Sequence, residues 1–203
     1  VKYESILDPV ILCLSISARS AKKVIKEWEI SDSRTDRDYK IFKIKSVQAI
    51  SPRTGKTNEF HTIETKDWVN IIPLTENREV VMISQYRHGS NEISLEIPGG
   101  LVDEKHPEKA ALRELLEETG YKGEHVEYLG AVNPNPAIFN NLCHTYLVEK
   151  AKKTSPKNLD PDEDIEVVLV PLSEIPSLID RGMINHALVI VAFHYYFSKK
   201  GCK

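Results

Sequence analysis

Residues 39–47, Tyr-Lys-Ile-Phe-Lys-Ile-Lys-Ser-Val, alternate apolar and polar positions with the period of a half-buried strand. Ser51-Pro52-Arg53-Thr54-Gly55 reads as a turn, and a second strand is predicted near 60–65, so a hairpin or small sheet precedes the main domain. Apolar runs at 68–73 and 79–86 flank the turn Thr75-Glu76-Asn77 and predict another strand pair. A short extended piece at 94–97 leads into Pro98-Gly99-Gly100. There the period changes. Ala111, Leu112, Leu115 and Leu116 mark one face of a helix predicted over 107–119, with Pro107 suited to its first turn and Gly120 to its stop. Strand patterns return at 126–132, 142–148 and 165–170, and helices are predicted at 173–181, ended by Gly182, and at 185–197. Residues 150–164 form a polar loop whose length is more typical of functional or mobile connections than of simple links. The chain thus divides into an N-terminal extension (1–38), the hairpin (39–66), a main domain (67–199) and a short tail (200–203), of α/β class.

The predicted helix carries an unusual load. Arg113-Glu114-Leu115-Leu116-Glu117-Glu118 places three carboxylates within five residues, on an edge where Glu114 and Glu118 stand four apart. Like charges at that spacing repel by about 0.2–0.5 kcal/mol on a bare helix. One reading is a solvated amphipathic face. The other is a hard divalent cation held by oxygen ligands, with Mg2+ the usual occupant where phosphates complete the shell. Arg113 and Glu117 are also four apart, so the guanidinium can fix that carboxylate. The Gly-Gly turn ahead and the well-marked helix ends favour the metal reading.

These residues resemble the signature of the Nudix hydrolases, G-x5-E-x7-R-E-U-x-E-E-x-G-U, where U is aliphatic or bulky. Arg113–Tyr121 match its second half, and Gly99 takes the leading glycine position. Lys105 stands where the first glutamate falls, with Glu104 beside it as the expected substitute after a small loop shift. The resemblance implies an α/β/α sandwich around a mixed β-sheet, with a small N-terminal β element. It also implies Mg2+, or Mn2+ in its place, held by Glu114, Glu117, Glu118 and the carbonyl of Gly99. Gln85-Tyr86-Arg87 followed by Leu95-Glu96-Ile97-Pro98-Gly99-Gly100 resembles the ADP-ribose pyrophosphatase branch. That likeness implies substrate contacts from Arg87 and Glu96, with Pro136 of Asn133-Pro134-Asn135-Pro136-Ala137 lining the pocket. The catalytic candidates it implies are Glu117, Arg113 as its brace, and a general base on the late acidic loop, Glu163 ahead of Asp162 and Asp164. Trp28 is a candidate to stack on adenine, or else a packing anchor or dimer contact.

Composition narrows the rest. A net charge of −3 over 203 residues argues against a nonspecific nucleic-acid or membrane surface. Cys13, Cys143 and Cys202 are scattered, with neither zinc spacing nor a disulfide framework, which suits a reducing cytoplasm. The apolar run 10–14 is too short to span a bilayer and its flanking charges are the reverse of a secretory signal, so no targeting segment is expected. Taken with the resemblance, the expectation is a homodimeric, Mg2+-dependent hydrolase of ADP-ribose, yielding AMP and ribose 5-phosphate. The alternatives are a broader nucleotide-sugar or dinucleotide pyrophosphatase, and a nucleotide-binding module without catalysis.

Overall fold

The computed structural model describes residues 25–103 and 105–201. The expectations for residues 1–20, Cys13, Glu104 and Cys202 lie outside the described residues. Strands β1 (Glu29–Asp38), β2 (Phe42–Ile50) and β3 (Thr57–Thr65) form a three-stranded sheet in that order. β1 was not expected: its sequence has no apolar alternation and all ten residues are exposed, so pairing with β2 rather than burial defines it.

The chain separates into two units, one containing 25–33 with 47–60, the other 34–46 with 61–201. In the smaller unit Trp28 meets Phe60 edge to face at 5.4 Å, and the turn after β2 closes through Ser51 N–H to Lys56 O at 2.9 Å.

The larger unit is built on β4 (Trp68–Leu74), β5 (Glu79–Arg87), β6 (Glu92–Glu96), β7 (Gly99–Leu101), β9 (His125–Val132), β10 (Cys143–Glu149) and β12 (Ile165–Pro171). Their path runs β12-β5-β4-β10-β9, with β6 on β5 and β7 on β4. The β4–β10 pairing is parallel and the others are antiparallel, so the sheet is mixed. A minor pair, β8 (Tyr121–Lys122) with β11 (Lys152–Lys153), lies off this path. The helices are α1 (Pro107–Thr119), α2 (Ile175–Asp180) and α3 (Ala187–Lys200).

Strand alternation sorts the core into two layers. Val69, Ile71, Val81, Tyr146 and Val148 pack with Ala110, Ala111 and Leu115 of α1. Ile72, Leu74, Val80, Met82 and Leu147 pack with Ile175, Val189, Ala192, Phe193 and Tyr196 from α2 and α3. Two apolar layers, one per sheet face, make the expected α/β/α sandwich. Among the described residues no helix is long and apolar enough to cross a membrane.

Candidate active site

The buried stripe Ala110, Ala111 and Leu115, each fully enclosed, sets how α1 is rotated on the sheet. That rotation brings Glu114 and Glu118 against β7. A Cβ on Gly100 would fall on the Glu114 carboxylate, and one on Gly99 would run into the Val69 carbonyl of β4. Gly99 is therefore required by the closeness of turn and strand, whereas a side chain at Gly100 would push the Glu114 carboxylate out of its place.

Arg113 braces the acidic edge. Its Nη1 donates to Glu117 Oε2 at 2.7 Å and its Nη2 to Glu114 Oε1 at 2.9 Å. Glu118 turns the other way and accepts the Gly99 N–H at 3.0 Å. Only 3% of Glu118 is exposed, and burial pushes its carboxyl up to about 9. The Gly99 hydrogen bond opposes the rise, while the charges of Glu114 and Glu163 add to it. Burial likewise raises Glu114, with Arg113 opposing.

Among the described residues no three His, Cys, Asp or Glu side chains are gathered as ligands. Arg113 occupies Glu114 and Glu117, and the Gly99 amide occupies Glu118. The donor chemistry nonetheless fits a divalent cation. Glu114, Glu117 and Glu118 are hard oxygen donors on one helix, and the ionised form of the most buried, Glu118, is favoured by the Gly99 amide and the Arg87 charge but not enough to offset its burial. A cation would supply that balance.

A pH dependence follows. Glu118 has its folded value raised above the ordinary 4.5, so its contribution to stability is full below about 4.5 and is lost as pH climbs towards about 9. In chelator, the melting temperature should fall from pH 5 to pH 9 more steeply for the native chain than for Glu118→Gln. Parallel curves would show that Glu118 is not the buried acid described.

A cavity of about 580 Å3 opens beside the turn, lined by Gly99, Gly100, Arg87, Glu96, Asn70 and His186 among others. Arg87 and Glu96 form a two-point ion pair, Nε to Oε1 at 2.8 Å and Nη2 to Oε2 at 2.7 Å. Burial alone would raise Glu96, but the Arg87 hydrogen bonds and charge, with His186, hold its carboxyl below the ordinary value. Arg87 remains 44% exposed while Glu96 is 3% exposed, so the guanidinium keeps a free face.

The loop before β12 is tied to the end of α1. Thr154 and Ser155 N–H groups donate to Gly120 O at 2.8 and 3.2 Å, and Asn158 N–H donates to Glu117 O at 2.8 Å. These bonds satisfy carbonyls that a helix end leaves free. Gly120 accepts this closure because it has a φ of +75° and no side chain; a Cβ would strike the Ser155 carbonyl. Glu163 lies in the tight turn beyond, its carboxylate accepting the Asp160 N–H at 2.9 Å. Glu163 is exposed, and its charge adds to the upward push on Glu114 and Glu118. Asp162 and Asp164 are exposed, and neither appears among the charges acting on that edge.

The other candidates stand apart. Pro136 is exposed in a turn closed by Phe139 N–H to Asn135 O at 2.8 Å and does not line the cavity. Trp28 belongs to the smaller unit, against Phe60. Lys105 is exposed. Cys143 is buried, its thiol pushed by burial up to about 12, which makes it inert.

Among the cavity residues that were not foreseen are Asn70, Asn185 and His186. One signal was available for Asn70: a polar amide inside the apolar run Val69–Leu74, where Asn is depleted in strands.

Residues 64–193 match the NUDIX domain. The chain belongs to the NUDIX family. It is 28% identical to an ADP-ribose pyrophosphatase of Bacillus subtilis over 156 residues, covering 76% of this chain and 84% of the relative. It is 32% identical to a mouse ADP-sugar pyrophosphatase over 161 residues, 70% and 74% of the two chains. A Bacillus methanolicus protein named methanol dehydrogenase activator is 28% identical over 184 residues, 90% and 96%. A solved ADP compounds hydrolase shares the fold with a TM-score of 0.77 at 21% identity, over 89% of this chain and 99% of that one. The protein is a Nudix hydrolase, and enzymes of this family generally use divalent metals.

Proposed function

We propose that this Nudix hydrolase cleaves the diphosphate of a nucleoside diphosphate joined to a second moiety, with ADP-ribose, giving AMP and ribose 5-phosphate, as the leading substrate. The observation carrying this reading is that the Gly99-Gly100 turn, against which Glu114 and Glu118 are pressed, lines the same cavity as Arg87. The names of the bacterial and mouse relatives support the same substrate class.

The diphosphate is stable in water because its oxygens repel a nucleophile. Arg87 offers its exposed face to those oxygens while Glu96 fixes its orientation. Glu114, Glu117 and Glu118, with the Gly99 carbonyl, would hold Mg2+, or Mn2+ in its place. A divalent cation there supplies charge neutralisation and acidifies the attacking water. Arg113 positions Glu117, which would be one of the residues holding the cation. Glu163 takes the proton from the water as its oxygen bonds to phosphorus and the bridging P–O bond breaks.

Glu163→Gln should therefore lower kcat about 10^2- to 10^4-fold with little change in KM. Asp162→Asn and Asp164→Asn should cost far less. Full activity in Glu163→Gln would place the base elsewhere.

We assign the protein to the cytoplasm and to a homodimer formed through the N-terminal sheet, supported by the exposure of every β1 residue and of Trp28. Trp28 then serves as an interface residue or stacks on adenine, and Pro136 shapes a loop of the binding surface. A hydrolysis panel of ADP-ribose, NADH, diadenosine polyphosphates, sugar nucleotides and CoA, with products identified, tests the substrate. AMP and ribose 5-phosphate from ADP-ribose at the highest kcat/KM is the expected result. A higher value for a sugar nucleotide or dinucleotide would move the assignment to the broader pyrophosphatases. Saturable ADP-ribose binding without product would indicate a sensor.

A further inference from the structure

Among the described residues three buried side-chain polar atoms lack a hydrogen-bond partner: Asn70 Oδ1, Asn141 Oδ1 and His186 Nδ1. Two of them belong to residues lining one cavity, the cavity that holds Arg87 and Glu96. Folded proteins pair nearly all such atoms, so this coincidence bears on what enters there. Asn70 is 7% exposed, and its Nδ2 is engaged by the Leu188 carbonyl at 3.2 Å. That bond orients the amide towards the start of α3 and leaves the oxygen without a donor. His186 immediately precedes α3 and makes no side-chain hydrogen bond to offset its buried nitrogen.

We propose that Asn70 and His186 form a sugar subsite for the moiety joined to the nucleotide through the diphosphate, binding two neighbouring hydroxyls. The proposal rests on the nucleoside-diphosphate reading above and specifies its second half. The atoms dictate the ligand chemistry. Asn70 Oδ1 only accepts, so it needs an O–H donor. His186 Nδ1 donates or accepts according to tautomer, and a hydroxyl satisfies either state. A vicinal diol meets both needs at once. An anionic group would not satisfy Asn70 Oδ1, which only accepts, and the diphosphate is left to Arg87 of the same cavity. An apolar group would leave both atoms unpaired. Both atoms are buried as the side chains stand. The last torsions of Asn and His are soft, so His186 can turn its ring to a ligand. Asn70 can turn its amide by giving up the 3.2 Å bond to Leu188 in exchange for the ligand's hydroxyl. The cavity, about 580 Å3, is within the usual range for small-molecule sites.

The test compares kcat/KM for ADP-ribose and for its analogue lacking the vicinal hydroxyls of the terminal ribose. It is run on the native chain, His186→Phe and Asn70→Leu. The native enzyme should prefer ADP-ribose about tenfold or more, through KM, and each variant should lose most of that preference. An undiminished preference in His186→Phe, with a native melting curve, overturns the subsite even if Asn70→Leu fails to fold. Absence of hydrolysis of any nucleoside diphosphate by the native chain would sink the functional reading alone. Calorimetry with ribose 5-phosphate then decides the subsite. Saturable binding weakened about tenfold by His186→Phe supports it; equal binding in both proteins, or none, refutes it.

Discussion

Glu118→Gln is expected to lower turnover of the diphosphate substrate about a thousandfold while leaving the fold intact. Two features of the site drive this. The carboxyl is 3% exposed and sits closest to the Gly99 turn, so no water-held group can take its place as an oxygen ligand. Burial also pushes it up to about 9, so without a cation it carries a proton at neutral pH. Glutamine copies that neutral form in shape and still accepts the Gly99 N–H. Structure is thus preserved and only the negative charge is removed. Glu117→Gln should also cost orders of magnitude, but its carboxylate is bound by Arg113 at 2.7 Å, so the variant additionally weakens one of the bonds that hold the guanidinium. Circular dichroism should match the native chain for Glu118→Gln, and melting in chelator should match it at pH 5, where the native carboxyl is protonated, while kcat collapses. Full activity in both variants would contradict the metal assignment.

Arg87→Ala is expected to cost both binding and stability. Glu96 is almost wholly buried and depends on the guanidinium to remain ionised there. Removing one partner of a buried pair costs about 3–5 kcal/mol because the other charge is stranded. Arg87 is itself 44% exposed, which places the loss near the lower end, about 3 kcal/mol. For a chain of this size that is a fall in melting temperature of about 6–12 °C. Arg87→Met with Glu96→Gln should recover most of the stability, since neither charge is then left alone, but not the raised KM for a diphosphate. A melting temperature unchanged in Arg87→Ala would show that the pair does not hold Glu96.

These two sites differ in how openly the sequence declared them. The α1 boundaries are local: Pro107, the apolar stripe and Gly120 lie within one helix, and the structure places the helix at Pro107–Thr119. The Arg113–Glu117 pair is legible from its four-residue spacing for the same reason. Arg87 and Glu96 were singled out only through a family resemblance. Their pairing arises from the β5–β6 register, in which Ile83 faces Glu96 and Arg87 faces Glu92, so the guanidinium reaches back along the strand. The short strand β7 was read as a turn because two of its three residues are glycine, and its pairing with β4 is tertiary. The closure of the acidic loop on α1 runs through backbone amides of Thr154, Ser155 and Asn158, which no side-chain pattern reveals. His186 was hidden as an ordinary residue in the first turn of the helix predicted over 185–197; only the fold brings it to the cavity that Asn70 lines.

The most direct measurement is the anomalous signal of Mn2+ in crystals soaked with a nonhydrolysable ADP-ribose analogue. The account predicts a peak bounded by oxygens of Glu114, Glu117 and Glu118, with diphosphate oxygens completing the shell and Arg113 displaced from at least one carboxylate. A Mn2+ peak and diphosphate lodged elsewhere, with Arg113 still holding Glu114 and Glu117 and Glu118 still on the Gly99 amide, would contradict it.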